Sequence, residues 1–331
     1  MTKNSFEKKL ELYKTQINTK ILNELSKRKP KSLYSPLIYF LSSGGKRLRA
    51  ILVLFAAKSV NENLKILPIN QAIAIELLHN FTLIHDDIMD NSDTRHNKQT
   101  VHKKYDLSTA ILSGDALLAI AYEFLDKNLK YNSIKIYEEF TNALRVVCEG
   151  QALDKEFETK NKVSLKEYFE MISMKTGALI KAAMKIGALS ASDQINKKDI
   201  DQFGLFGEYL GIAFQIQDDL LDIIGDYKLF GKTKALDLLE GKKTYLLLKA
   251  LDLAKGSDLE KLNKLIKNKG ISQTELNEYI EIYKRTGVIE LARNEILNYH
   301  KKANNVLSKL SNKYDVNNLK NLLEFVINRQ Y

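Results

Sequence analysis

Cysteine is nearly absent: the 331 residues contain one, Cys148. That excludes an internal disulfide framework and a cysteine-based zinc site. Tryptophan is missing, and 3 prolines with 15 glycines make up under 6% of the chain. Folds built from many short strands need far more turn punctuation, so a β-sandwich or barrel is not expected. No run approaches 18 consecutive apolar residues, which argues against a membrane span or stable membrane insertion. The N-terminus is polar and lysine-rich, with no apolar core of a secretory signal. The expectation is a cytoplasmic protein.

What is present is an ordinary globular balance, 44% hydrophobic and 28% charged. The net charge of +10 raises a nucleic-acid partner as a possibility, but its distribution weakens that reading. Residues 1–85 hold 14 Lys/Arg against 5 Glu and no Asp, so nearly all the excess is N-terminal. Part of it lies along the first helix and at Lys27–Lys31, where a solvated face accounts for it. The compact group Lys46, Arg47 and Arg49, directly after Gly44 and Gly45, instead suggests a phosphate ligand. No nucleic-acid partner is expected.

Apolar residues recur at helical spacing almost throughout. Leu10, Tyr13, Ile17 and Ile21 mark a first helix. A second pattern runs through Leu52 and Phe55 to Val60. Pro68 opens a helix that is apolar nearly all round, through Ile73, Leu77, Leu78, Phe81 and Ile84, as a core helix is. Further helices are predicted near 107–128, 132–152, 165–190, 198–225 and 242–255, with loops near 91–105, 158–163, 191–197 and 226–240. No strand alternation or repeat period is visible. The prediction is an all-α bundle of about ten or more helices around one core, as one large domain or two modest ones.

Two of these helices end in the same pattern, Asp86-Asp87-Ile88-Met89-Asp90 and Asp218-Asp219-Leu220-Leu221-Asp222. Positions i and i+4 share a helix face, so Asp86 converges with Asp90 and Asp218 with Asp222. Like charges at that spacing repel, and the C-terminal end of a helix dipole disfavours anions. Cations should offset that cost. Oxygen-only ligands suit Mg, which takes one or two carboxylates and leaves its other positions to water and substrate phosphates.

These residues resemble the trans-polyprenyl diphosphate synthases of the isoprenoid synthase fold, and most closely the archaeal geranylgeranyl diphosphate synthases. Gly44-Gly45-Lys46-Arg47-Leu48-Arg49 resembles the family's basic motif. His79 to Thr82 and Leu83 to Asp90 resemble its first aspartate-rich region. Lys175-Thr176-Gly177 matches the lysine–threonine site, and Gln215 to Asp222 the second aspartate-rich motif. Phe230-Gly231-Lys232 and Asp237 through Thr244 resemble the segment that follows.

The resemblance implies a prenyltransferase, built as a single domain spanning 1–331 with its helices around a central active-site cavity. It would condense isopentenyl diphosphate head-to-tail with allylic diphosphates, giving geranylgeranyl diphosphate and releasing diphosphate. Two or three Mg ions per active site would sit on Asp86, Asp90 and Asp218, supported by Asp87, Asp219 and Asp222. Arg95, Lys175, Lys232 and Lys242 would neutralise the allylic diphosphate, with Thr176 and Gln215 beside the developing cation. Lys46, Arg49, His79 and His96 would bind isopentenyl diphosphate. Phe81 would floor the product cavity beside the small Thr82. A homodimer is the family expectation. The family's Arg-Arg-Gly-x-Pro-Thr segment reads Arg95-His96-Asn97-Lys98-Gln99-Thr100 here, which implies a changed loop and a weaker hold on isopentenyl diphosphate, tightening toward pH 6. A farnesyl or longer product, a weakly active subunit of a hetero-oligomeric synthase, and a terpene cyclase of the same fold remain as alternatives.

Overall fold

The computed structural model describes residues 3–225 and 235–327. The order of elements is α1 (Lys3–Ser26), α2 (Lys31–Leu41), α3 (Leu48–Val60), α4 (Ile69–Met89), β1 (Thr94–Arg95), β2 (Lys98–Gln99), α5 (Val101–Lys104) and α6 (Leu107–Asp126). Then follow α7 (Ser133–Thr159), α8 (Leu165–Ile172), a π-helical turn at Ser173–Gly177, α9 (Ala178–Ala191) and α10 (Lys197–Ile224). The chain finishes with α11 (Leu236–Leu239), α12 (Tyr245–Leu253), α13 (Gly256–Asn268), α14 (Leu276–Arg285), α15 (Val288–Leu310) and α16 (Asn317–Ile327).

These elements fall into two compact units. The first comprises Met1–Leu144, Ala182–Gly204 and Leu310–Asn321. Its α1 buries Phe6, Leu10, Tyr13, Ile17, Ile21 and Leu25, a stripe at spacings of three and four. The centre is α4, whose residues from Asn70 to Leu78 are all buried, as its all-round apolar pattern requires. Alongside it α6 runs antiparallel. Asn70 and Gln71 at the start of α4 donate to the Lys127 and Leu125 carbonyls at the end of α6, both at 2.9 Å. At the other end His85 lies 3.4 Å from the Ile111 carbonyl. By length and composition α6 alone among the described helices is long and apolar enough to cross a membrane. Its buried face packs along α4.

The second unit comprises Arg145–Lys181, Leu205–Lys309 and Leu322–Tyr331. Its core gathers Tyr168, Ile216, Leu220, Leu246, Leu247, Leu262, Leu265, Ile282 and Tyr283. An aromatic chain links Tyr168, Phe169, Tyr245 and Tyr299, with ring centroids 5.6–6.4 Å apart.

Several local expectations change, among them the short helices α5 and α11, which fall in the loops predicted near 91–105 and 226–240. The helix predicted over 165–190 is interrupted by the π turn, in which Lys175 and Thr176 sit. Apolar periodicity does not register one inserted residue. The loop predicted over 91–105 contains a hairpin in which Thr94 pairs with Gln99 and Arg95 with Lys98. Its two-residue strands are too short to show alternation. Both turn residues are left-handed, His96 at φ 51° and Asn97 at φ 60°. That is the geometry of a type I′ turn, and Asn and His are among the side chains that tolerate it. Asn97 thus sustains the turn without a glycine.

Candidate active site

The first aspartate cluster closes α4. Asp90 caps the helix, its N–H donating to the Asp86 carbonyl at 2.8 Å, and both side chains are half-buried. Asn91, left-handed at φ 49°, ends the helix there. Asp87 points the other way and is only 1% exposed. Arg95 donates to its Oδ1 through Nε and Nη2, each at 2.8 Å, while its Oδ2 is buried without a partner. Burial raises the Asp87 pKa against the opposing pull of Arg95. The cluster therefore divides into an outward pair, Asp86 and Asp90, and an inward member that anchors the hairpin.

The basic group also divides. Gly44 and Gly45 have φ of 98° and 115°, which leads the chain into Arg47, itself left-handed at φ 51°. That turn sends Arg47 inward, to 5% exposure. Its guanidinium donates to Asn18 Oδ1 on α1 at 2.8 Å, to the Leu41 carbonyl ending α2 at 2.7 Å, and to Glu76 Oε1 on α4 at 3.1 Å. Arg47 is thus a staple between three helices and not the phosphate ligand its neighbours suggested. Lys46 stays exposed. Arg49 Nη1 lies 3.0 Å from His79 Nε2. Burial, then the positive charges of Arg49, Arg95, Arg47 and His96, push the His79 pKa well down. A neutral His79 accepts from Arg49 at Nε2. The predicted isopentenyl diphosphate residues Arg49, His79 and His96 are therefore within electrostatic reach of one another, together with Arg95.

Below the first cluster, Thr82 lies one turn under Asp86 on the same face. Its hydroxyl donates to the His79 carbonyl at 2.8 Å. Phe81 is 8% exposed and lies on a neighbouring face. Its ring packs edge-on against His85 at 4.7 Å. Gly114 on α6 admits the His85 ring: a Cβ there would stand 2.1 Å from its Nε2.

In the second unit, α10 carries Asp218 exposed, Asp222 half-buried and Asp219 5% exposed. Asp219 accepts from Tyr168 Oη at 2.6 Å, Gln215 Nε2 at 3.0 Å and the Tyr245 N–H at 3.4 Å. Burial, opposed by those bonds, pushes its pKa up to about 6. Asp222 accepts the N–H groups of Leu236 and Asp237 at 3.2 and 3.0 Å, capping α11. Asp237 is raised well above the carboxylate range by burial and by the charges of Asp222 and Asp219. Lys242 pairs with Glu240 at 2.9 Å. Lys232 lies outside the described residues.

The π turn is clasped by two glycines. A Cβ on Gly150 would stand 2.4 Å from the Lys175 nitrogen, and one on Gly211 would stand 2.7 Å from the Gly177 Cα. Backbone contact of this closeness fixes Lys175 and Thr176, and π turns of this kind recur at functional sites. Thr176 donates to Gln215 Oε1 at 2.8 Å, so Thr176, Gln215, Asp219 and Tyr168 form one hydrogen-bonded chain. Lys175 Nζ meets Asp154 Oδ2 at 2.5 Å. Beside Gly150, Gln151 buries both amide atoms without a partner. Asp154, Gln151, Tyr168 and Glu76 escaped sequence reasoning. The Asp154–Lys175 pair spans 21 residues and two elements, and a buried amide looks like any other glutamine in sequence.

Among the described residues no group of three or more His, Cys, Asp or Glu forms a ready-made metal cage. The donor set nevertheless fits Mg. Asp86 and Asp90 are half-buried and Asp218 is exposed, while Asp222 is engaged in capping α11. The crowded acids of the second cluster are pushed toward protonation, a strain that a divalent cation relieves.

A family model described as polyprenyl synthetase matches residues 30–283. The geranylgeranyl diphosphate synthase of Sulfolobus acidocaldarius is 40% identical over 320 residues, covering 95% of this chain and 96% of that one. The geranylfarnesyl diphosphate synthase of Natronomonas pharaonis is 35% identical, covering 95% of each. The crystal structure of geranylgeranyl pyrophosphate synthetase from Pyrococcus horikoshii superposes with a TM-score of 0.85 at 33% identity, covering 98% of this chain and 99% of that one.

Proposed function

Since the chain belongs to the polyprenyl synthetase family, we propose that it is a prenyltransferase joining isopentenyl diphosphate head-to-tail to an allylic diphosphate, with geranylgeranyl diphosphate as its main product. The observation that carries the reading is the shared division of labour in the two aspartate clusters. In each, the first and last carboxylates are left outward or half-buried. The middle one is buried and held, by Arg95 in one case and by Tyr168 and Gln215 in the other.

Asp86, Asp90 and Asp218 are the residues that would hold Mg. Bound Mg would supply Lewis acidity at the departing diphosphate. Asp87, Asp219 and Asp222 keep those carboxylates in place. Arg95, Lys175, Lys232 and Lys242 set positive charge about the leaving group. Lys175 and Arg95 are already oriented by Asp154 and Asp87. Thr176 Oγ and Gln215 Oε1 supply oxygen dipoles for the allylic cation, and the apolar helices exclude the water that would quench it. Isopentenyl diphosphate falls to Lys46, Arg49, His79 and His96. Neutral His79 acts there by orienting the Arg49 fork.

Chain length is set by Phe81 and Thr82. A small residue under Asp86 leaves room for growth, and Phe81 backed by His85 limits it. The names of the relatives, with twenty- and twenty-five-carbon products, bracket the expected length. The whole chain would work as one cytoplasmic polyprenyl synthetase domain. We propose a homodimer through the outer face of α6, where Leu107, Ile111 and Leu112 are 42–59% exposed.

The test is substitution of one outward aspartate from each cluster. Asp86→Asn and Asp218→Asn should each lower kcat by about 100-fold or more, leaving the fold intact by circular dichroism. Near-wild-type turnover in either variant would remove that cluster from the mechanism.

A further inference from the structure

We propose that the end of the first unit opposite the first aspartate cluster is a docking surface for an anionic lipid bilayer. At that end α1, α3, α6 and α9 finish and α2, α4, α7 and α10 begin. Side-chain bonds gather the loops there. Asn70 reaches the Lys127 carbonyl at 2.9 Å, and Arg28 and Lys127 both meet Glu24 at 3.3 Å. Asn132 donates to the Leu189 and Ser192 carbonyls at 3.0 and 2.8 Å.

Two features coincide on this surface. The two most exposed large apolar side chains among the described residues are Ile66 at 80%, in the loop between α3 and α4, and Ile134 at 74%, in the first turn of α7. Each has an exposed lysine as its next neighbour, Lys65 and Lys135. The rest of the surface is basic: Lys27, Lys29, Lys31 and Lys130 are exposed, and Lys197 and Lys198 open α10. The exposed acids of the same loops are Glu62, Asp126 and Asp193, while Glu123 is taken up by Arg28. Lysines around isolated apolar tips match the chemistry of an anionic bilayer surface, where ammonium groups meet headgroups and branched side chains enter the boundary layer. A nucleic acid would use the lysines and leave both isoleucines idle, which favours the bilayer.

The placement acquires a purpose on the prenyl diphosphate reading, on which that purpose rests. The 21-residue α4 is about 32 Å long, and the apolar tail grows from Asp86 toward its start. The docking end is thus the end toward which a lipid product extends. The docking itself does not depend on the reaction.

The experiment is co-sedimentation of the full chain with vesicles of phosphatidylcholine alone or with about 30% of an anionic phospholipid, in low salt and in about 0.5 M salt. Binding to the anionic vesicles should be at least about tenfold tighter than to neutral ones and should collapse in high salt. Each of Lys29→Gln and Lys130→Gln should weaken it by about fivefold. Ile66→Asp/Ile134→Asp should weaken it by about tenfold or more, with turnover in solution unchanged, because neither residue belongs to the reaction machinery. Failure to sediment with anionic vesicles would overturn the proposal. So would binding indifferent to the two isoleucines and matched by capture on duplex DNA. Loss of turnover in the parent chain would count against the reaction alone.

Discussion

Replacing Arg47 by Met tests how the basic segment is held. Arg47 and Glu76 form an ion pair at 3.1 Å in which the side chains are 3% and 4% exposed. Of the two Glu76 oxygens, Oε1 also receives the Asn80 amide at 3.4 Å, and Oε2 is buried without a partner. Removing Arg47 strands that carboxylate and leaves the Asn18 amide oxygen and the Leu41 carbonyl without their donor. Stranding one member of a buried pair costs about 3–5 kcal/mol. At roughly 2 °C per kcal/mol for a chain of this size, Tm should fall by roughly 6–10 °C. The double variant Arg47→Met/Glu76→Met removes both charges, and such replacements are close to neutral, so it should recover most of the loss. A second readout separates position from stability. Lys46 and Arg49 flank Arg47, so at a temperature where the variant is folded KM for isopentenyl diphosphate should rise several-fold while kcat changes little. A single variant within about 1 °C of the parent, or a double variant as unstable as the single one, would refute the argument that this arginine staples three helices.

Two other outcomes follow from the site. Phe81→Ala should lengthen the products and Thr82→Phe should shorten them, read by chromatography of the dephosphorylated alcohols; an unchanged distribution in both would remove the pair from length control. Asp219 has a folded pKa of about 6, above its unfolded value, so in the metal-free protein its contribution to stability is full below the unfolded pKa and is lost as pH rises through about 6. Mg favours the carboxylate, so the rise in Tm on adding Mg should be larger at pH 7.5 than at pH 5.5. An Mg effect independent of pH would contradict the placement of that charge.

The aspartate clusters were legible in the sequence because helical geometry is periodic: four-residue spacing at the end of an apolar helix already fixes which carboxylates converge. The inward turn of each middle aspartate follows from the same rule. The basic motif was harder. Lys46, Arg47 and Arg49 look equivalent in sequence, and the left-handed backbone at Arg47, set up by two glycines, separates the buried staple from its neighbours. The π turn was hidden for another reason. Lys175, Thr176 and Gly177 lie between apolar helical stretches whose period reads on through them, and no local signal marks Gly150 and Gly211, which approach the turn closely from other helices. Partners such as Asp154 and Tyr168 are set by packing alone and carry no local signal.

The most direct test of the central claim is a product assay. The purified chain is given Mg, labelled isopentenyl diphosphate and, separately, five-, ten- and fifteen-carbon allylic diphosphates, and the products are resolved by length. The account predicts elongation dependent on Mg and ending mainly at twenty carbons. Absence of elongation from every starter, in a folded chain that binds Mg and diphosphate, would contradict it.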